Sequence, residues 1–204
     1  QALIYVIAVH IPIFGMALIP VLNSEWPLVL LPALIAFQEV IIDPASSIVF
    51  EAEEPDKKSM ERLPRGKSKS LVGGREVIIG FFQGFSVLIV TFLVYWISLL
   101  NYNSEELSRS LTYATLLLSN LFLVLSNRSQ SLSIIASFKE RNNPAILPIT
   151  LLASGILLAL VNIPFLAESF DLAQLNLNQY VIVILASFAS ISWYEIYKKL
   201  HNPK

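Results

Sequence analysis

Two carboxylates and a proline stand in the middle of an apolar run: Glu39, Asp43 and Pro44, within residues 28–50. An acid at the centre of a membrane helix costs roughly 2.5–3.5 kcal/mol even on the mild insertion scale, so such residues point to function. Glu39 and Asp43 are four apart, which places them on one helix face. Pro44 has no N–H, so the carbonyl of Val40 loses its helical partner. Two carboxylates and a freed carbonyl are the oxygen ligands that hard cations take. A second such break lies upstream, where Pro12 frees the carbonyl of Ala8 and His10 sits two residues before it. His10 has two readings, a hydrogen-bonded histidine within a bundle or a member of an ion site. Broken helices with freed carbonyls at mid-membrane mark cation sites in transporters, which favours the second. Ser46 and Ser47 are open to ligation or to satisfying backbone beyond the break, and Gln38 points about 100° away around the helix.

The elements that carry these residues are spanning helices. The chain has 204 residues, 55% hydrophobic and 14% charged, against about 45–50% and about 25% for soluble domains. Its mean hydropathy is +0.65. A span needs roughly 20 mainly apolar residues, and six stretches meet or approach this: 1–22, 26–50, 77–100, 108–127, 145–165 and 179–197. The expected fold is an all-α membrane protein, a six-transmembrane-helix bundle with broken first and second helices. It forms a single transmembrane domain over 1–204, with 51–75 as a cytoplasmic loop. No 20–50-residue repeat is visible.

Charge orients the bundle. Of the 14 Lys and Arg, 13 fall in 51–75, 127–143 and the C-terminal tail; only Arg109 lies at the other end. The positive-inside rule makes the basic side cytoplasmic, with both ends of the chain on it. Trp26, Trp96 and Tyr102 then mark the outer boundary, and Trp193, Tyr194 and Tyr197 the inner one. The net charge of −1 gives no reason to expect nucleic acid, and the absence of cysteine excludes disulfides, thiolate metal sites and cysteine nucleophiles. Gln1 opens inside an apolar run without a basic leader, so the chain is expected to be a fragment of a larger protein.

Other polar residues suit packing. Gly80 and Gly84 form a small-xxx-small pair, with Gln83 between them placed to hydrogen-bond inside the bundle. Ser119 and Asn120 lie near the middle of the fourth span and are open to a peripheral ligand role or to helix–helix hydrogen bonding. Glu195 stands beside Lys198 and Lys199 and is expected to pair with them.

The run 8–65 resembles the fifth and sixth membrane helices of P-type cation-transporting ATPases, especially bacterial relatives of calcium pumps. Ala8-Val9-His10-Ile11-Pro12-Ile13, Glu39-Val40-Ile41-Ile42-Asp43-Pro44, Ile48-Val49-Phe50-Glu51 and Met60-Glu61-Arg62-Leu63-Pro64-Arg65 carry the likeness. Asp43 and Arg65 are 22 residues apart, the spacing the family has between its sixth-helix Asp and the Arg of its Arg-Pro-Pro-Arg loop. The resemblance implies that the chain is the C-terminal transmembrane domain, helices five to ten. It implies that Asp43 is an ion-binding residue, with Glu39 at the position of the family's Asn and His10 near the fifth-helix ligand. Ile42, Ile13 and Leu63 stand where calcium pumps have Thr, Glu and Pro. The eighth-helix Glu is absent, with Ser119 and Asn120 nearby.

The expected function is the membrane part of an ATP-driven cation pump, with calcium or another divalent cation held by Asp43, Glu39, the Val40 carbonyl, His10 and the Ala8 carbonyl, and Asn120 at the periphery. The fragment has no cofactor of its own and lacks the Asp-Lys-Thr-Gly-Thr phosphorylation motif. ATP and Mg belong to the parent. The expected partners are the lipid bilayer, the cation, and the N-terminal membrane helices and cytoplasmic domains of the same pump, in a bacterial plasma membrane. A secondary transporter or channel subunit and a non-transporting scaffold are the alternatives.

Overall fold

Residues 2–22 are apolar on every side, the pattern of a helix with no water-facing stripe, and they form α1 (Ala2–Leu22). The computed structural model describes residues 2–23, 26–53, 73–102, 104–129, 132–140 and 143–201. These fold as α1, α2 (Pro32–Glu51), α3 (Gly74–Asn101), α4 (Glu105–Asn127), α5 (Ile134–Glu140), α6 (Ile146–Asn162), α7 (Pro164–Ser169) and α8 (Leu177–His201), with no strand among them. Five helices, α1, α2, α3, α4 and α8, are long and apolar enough to cross a membrane; α6 has 17 residues, about 25 Å and at the short end of the spanning range. The chain is thus an all-α membrane bundle. The basic segment around Met60–Arg65 lies outside the described residues.

Prolines set several boundaries. The second helix starts at Pro32 rather than near Trp26, with the proline in its first turn, where a missing N–H costs nothing. The fifth expected span ends at Asn162, because Pro164 opens the separate short helix α7. Inside α1 and α2 the outcome differs from the expected breaks. The helical backbone continues through both Pro12 and Pro44, so the interruption there is of hydrogen bonding and not of helix.

α4 is the axis of the bundle. It touches α1, α2, α3, α6 and α8, and from Ser108 to Asn127 every residue is buried except the half-buried Leu118 and Phe122. Small side chains permit this close approach, and their hydroxyls turn back onto their own helix: Thr112 to Ser108 O at 2.6 Å and Thr115 to Leu111 O at 2.8 Å. α1 packs along α3 at the two expected glycines. A Cβ on Gly80 would sit 2.8 Å from the Ile4 carbonyl oxygen, and one on Gly84 2.5 Å from that of Ala8.

Both ends of α4 are clamped. At its start Arg109, 7% exposed, donates to Leu28 O (3.2 Å) and Asp171 O (2.7 Å). The lone basic residue of that end is therefore a tie between connecting segments. At the other end Arg128 pairs with Glu53 at 2.9 Å, and Asn143 Nδ2 donates to both Glu53 and Val49 O at 2.9 Å. This joins the ends of α2 and α4 to the start of α6. Lys198 of α8 pairs with Glu195 at 2.6 Å and donates to Ser126 O at 2.9 Å, while Ser126 Oγ and Ile134 N donate to Glu195. The Glu195–Lys198 pair is as expected, with Lys198 buried and Glu195 half-buried. Arg75 Nη2 donates to Tyr197 at 2.7 Å, so the start of α3 and the end of α8 meet. Trp26 packs on Trp96 (5.7 Å) and Phe92 (5.8 Å) near the end where Tyr95 Oη donates to Pro27 O.

Candidate cation site

Glu39 and Asp43 are the eighth and twelfth of the 20 residues of α2, and His10 is the ninth of the 21 of α1. All three therefore lie near mid-span. One helical turn separates Glu39 from Asp43, so their carboxylates share a face, and His10 meets that face from the neighbouring helix. Each of the three offers a ligand atom within 4.8 Å of the other two. His10 Nε2 stands 3.7 Å from Glu39 Oε2, with the two side chains 35% and 32% exposed. Like charges this close repel, and an opposite charge within about 4–6 Å relieves them. The cluster is a place for positive charge.

The local fold orients each group. His10 Nδ1 is 2.8 Å from the Val6 carbonyl, one turn earlier on α1. A carbonyl only accepts, so Nδ1 carries a proton and Nε2 faces the carboxylates. In α2, Pro44 offers no amide to the Val40 carbonyl. Ser46 Oγ donates to Asp43 O at 2.9 Å, the carbonyl just before the proline, while Ser47 is exposed. Gln38 turns inward, 2% exposed, away from the acidic face. Ile13 and Ile42 are buried at 4% and 3% and add no oxygen.

The other two expected ligands are described by different contacts. The Ala8 carbonyl oxygen lies against Gly84 of α3, on the side where α1 packs. Asn120 sits on α4, fully buried, with neither amide atom hydrogen-bonded among the described residues; its neighbour Ser119 reaches Ser190 of α8 at 3.4 Å. Gln83 behaves as expected and accepts from Asn127 at 3.0 Å. Sequence reasoning missed Tyr5. It lies on α1, 1% exposed, its ring 5.4 Å from that of Phe50 on α2, with its hydroxyl beside Ser46 and close to Asp43 and Glu39. Its place five residues before His10 was the available signal. Sequence reasoning also missed the Glu53–Arg128–Asn143 clamp, which unites residues 90 positions apart.

The outer face of the cluster is uncovered. Asp43 and Pro44 are exposed, and the flanking Val40 and Ile48 are 72% and 52% exposed. Membrane carboxylates face a bundle interior or a watery cavity rather than lipid.

The sequence family described as cation transporting ATPase, C-terminus, matches residues 27–200. No curated protein matches the chain.

Proposed function

The chain belongs to the family of cation-transporting ATPase C-termini, and from that premise we propose that His10, Glu39 and Asp43 bind the transported cation, calcium or another divalent ion. The convergence of their three ligand atoms within 4.8 Å, at mid-span of two membrane-length helices, carries this reading. The Val40 carbonyl, freed by Pro44, is a fourth ligand from the same turn. Two carboxylates match the charge of a divalent cation, and a cation between them removes the repulsion that makes the empty pair unfavourable. Asn120 is a polar reserve on the central helix, outside this inner set. The Ala8 carbonyl serves the α1–α3 contact instead.

The uncovered face of Asp43 fits a further part of the same pump. Lipid is a poor neighbour for a carboxylate, so membrane helices preceding this chain complete the site. ATP and Mg act in cytoplasmic domains of that longer protein, and phosphorylation there switches the site between inward and outward access. Pumping requires the two states to differ in cation affinity, since a ligand shifts an equilibrium only by that difference. The basic side, with both ends of the chain, faces the cytoplasm of a bacterial cell by the positive-inside rule.

The test is Asp43→Asn in the full-length pump. Cation-stimulated ATPase activity should disappear while the protein remains folded by size-exclusion chromatography. Unchanged activity and cation affinity would sink the assignment.

A further inference from the structure

We propose that the ion held by His10, Glu39 and Asp43 is a divalent first-row transition metal, in the Mn2+ to Zn2+ range, rather than an alkaline-earth ion. This rests on the preceding reading that the cluster is the transported-cation site, and it names the class of ion.

The argument turns on the histidine. Nδ1 of His10 lies 2.8 Å from Val6 O, which places a proton on Nδ1 and turns Nε2 toward the carboxylates, where it can ligate a metal in place of its proton. Metal-bound histidines almost always donate their other N–H in this way, to a carbonyl or carboxylate. Here a helix carbonyl one turn back does it, so the ring is held ready as a nitrogen ligand. The Nε2–Glu39 Oε2 separation is 3.7 Å. Two ligand atoms each about 2.1 Å from one ion stand about 3–4 Å apart, so both reach a common ion without rearrangement.

Calcium calls for six to eight oxygens at about 2.3–2.6 Å. This cluster replaces one of them with nitrogen, and the adjacent buried positions Ile13 and Ile42 supply no oxygen. Imidazole suits Zn, Cu, Fe and Ni, while carboxylates alone suit Mg, Ca and Mn. One imidazole with two carboxylates is a mixed set that rewards borderline metals. The chain has no cysteine, which removes the thiolates that would select Cu(I). A second observation places a polar group beside the cluster: the Tyr5 hydroxyl, on the same helix as His10, is buried on the α2 side, next to Ser46 and within electrostatic reach of Asp43 and Glu39.

The experiment uses the full-length pump at fixed Mg-ATP, with free Mn2+, Co2+, Zn2+ and Ca2+ set by metal buffers. Half-maximal ATPase stimulation by at least one of the three transition metals should come at a free concentration roughly tenfold or more below that for Ca2+. His10→Asn, which swaps the nitrogen ligand for an amide oxygen, should raise that concentration by about 10–100-fold, the loss usual when a metal site loses a supporting group, and should narrow the gap to Ca2+. Pulsed EPR of the Mn2+-loaded wild type should show 14N modulation from a bound imidazole, and His10→Asn should remove it. The wild-type spectrum keeps the proposal testable even where the variant fails to fold. Stimulation by Ca2+ that depends on Asp43 but not on His10 keeps the site and overturns the metal class. So does a Mn2+ spectrum without 14N modulation. Silence toward every divalent cation, with Asp43→Asn also without effect, removes the site itself and this proposal with it.

Discussion

α2 and α4 are both membrane-length helices with many polar atoms, yet they spend them in opposite ways. α4 buries its hydroxyls against five neighbouring helices and ties both its ends with charged clamps. α2 touches α1, α4 and α6, is held at its end by Glu53, and turns Asp43 and Val40 outward. In α4 each hydroxyl that bonds one turn back is satisfied whatever the rest of the molecule does. In α2 the carboxylates meet each other and His10 instead of a backbone carbonyl, and on the proposed reading a cation satisfies them. On that reading the two helices divide the work: α4 stays fixed, and the polar groups of α2 are satisfied by the cargo. The comparison predicts that substitutions at the α4 clamps act on stability and those at the α2 face act on cation response.

The largest effect should come from Arg128→Met. The Glu53 carboxylate, 5% exposed, would lose its guanidinium partner while keeping Asn143, and breaking a buried pair costs up to about 3–5 kcal/mol. Thermal unfolding followed by tryptophan fluorescence should show a large loss of stability. The double change Arg128→Met with Glu53→Leu should recover most of it, because replacing a whole buried pair by apolar groups is often neutral. An Arg128→Met variant as stable as the wild type would break the comparison, since the α4 end would then be no more anchored than the α2 face.

Gly84→Ala should come next. Its Cβ would meet the Ala8 carbonyl oxygen at 2.5 Å, backbone that cannot rotate away, so α1 must shift from α3 at a cost of about 1–3 kcal/mol. Gly155→Ala in α6, where an added Cβ meets nothing within 4 Å, is the control and should be neutral or slightly stabilising. Because α1 carries His10, Gly84→Ala should also weaken cation stimulation, and an unchanged cation response would show that α1 and the site are less tightly coupled than their shared helix implies.

The physics explains what was legible in the sequence. The spans, the carboxylates one turn apart and the glycine pair are local patterns, set by helix period and the cost of polar groups in lipid. Gly80, Gly84 and Gln83 were read correctly because small and polar residues in an apolar helix have few places to go. For the Ala8 carbonyl, Pro12 tells which carbonyl is freed but not which neighbour it meets; packing sets it against Gly84 of α3. The Glu53–Arg128–Asn143 clamp was invisible because its members lie in segments that read as solvated loop and come together only in the folded bundle. Pro164 carried a boundary signal in plain view, but the apolar run around it masked it.

The smallest intrinsic effect should belong to Asp43→Asn. In cation-free buffer the variant should unfold within about 1 kcal/mol of the wild type, on the stable side. Asp43 is exposed within the described residues, so little packing is lost, and neutralising one of two carboxylates removes like-charge repulsion. The difference should appear only on adding the cation. A ligand that binds the folded state alone stabilises it by about 2.7 kcal/mol at a hundred times its Kd, and the wild type should gain that while the variant gains nearly none. The unfolding curves should therefore cross as cation is added, the variant above without it and below with it. A variant that is already several kcal/mol weaker without cation would mean that Asp43 is a structural residue like Arg128, and the division between the two helices would fail at its centre.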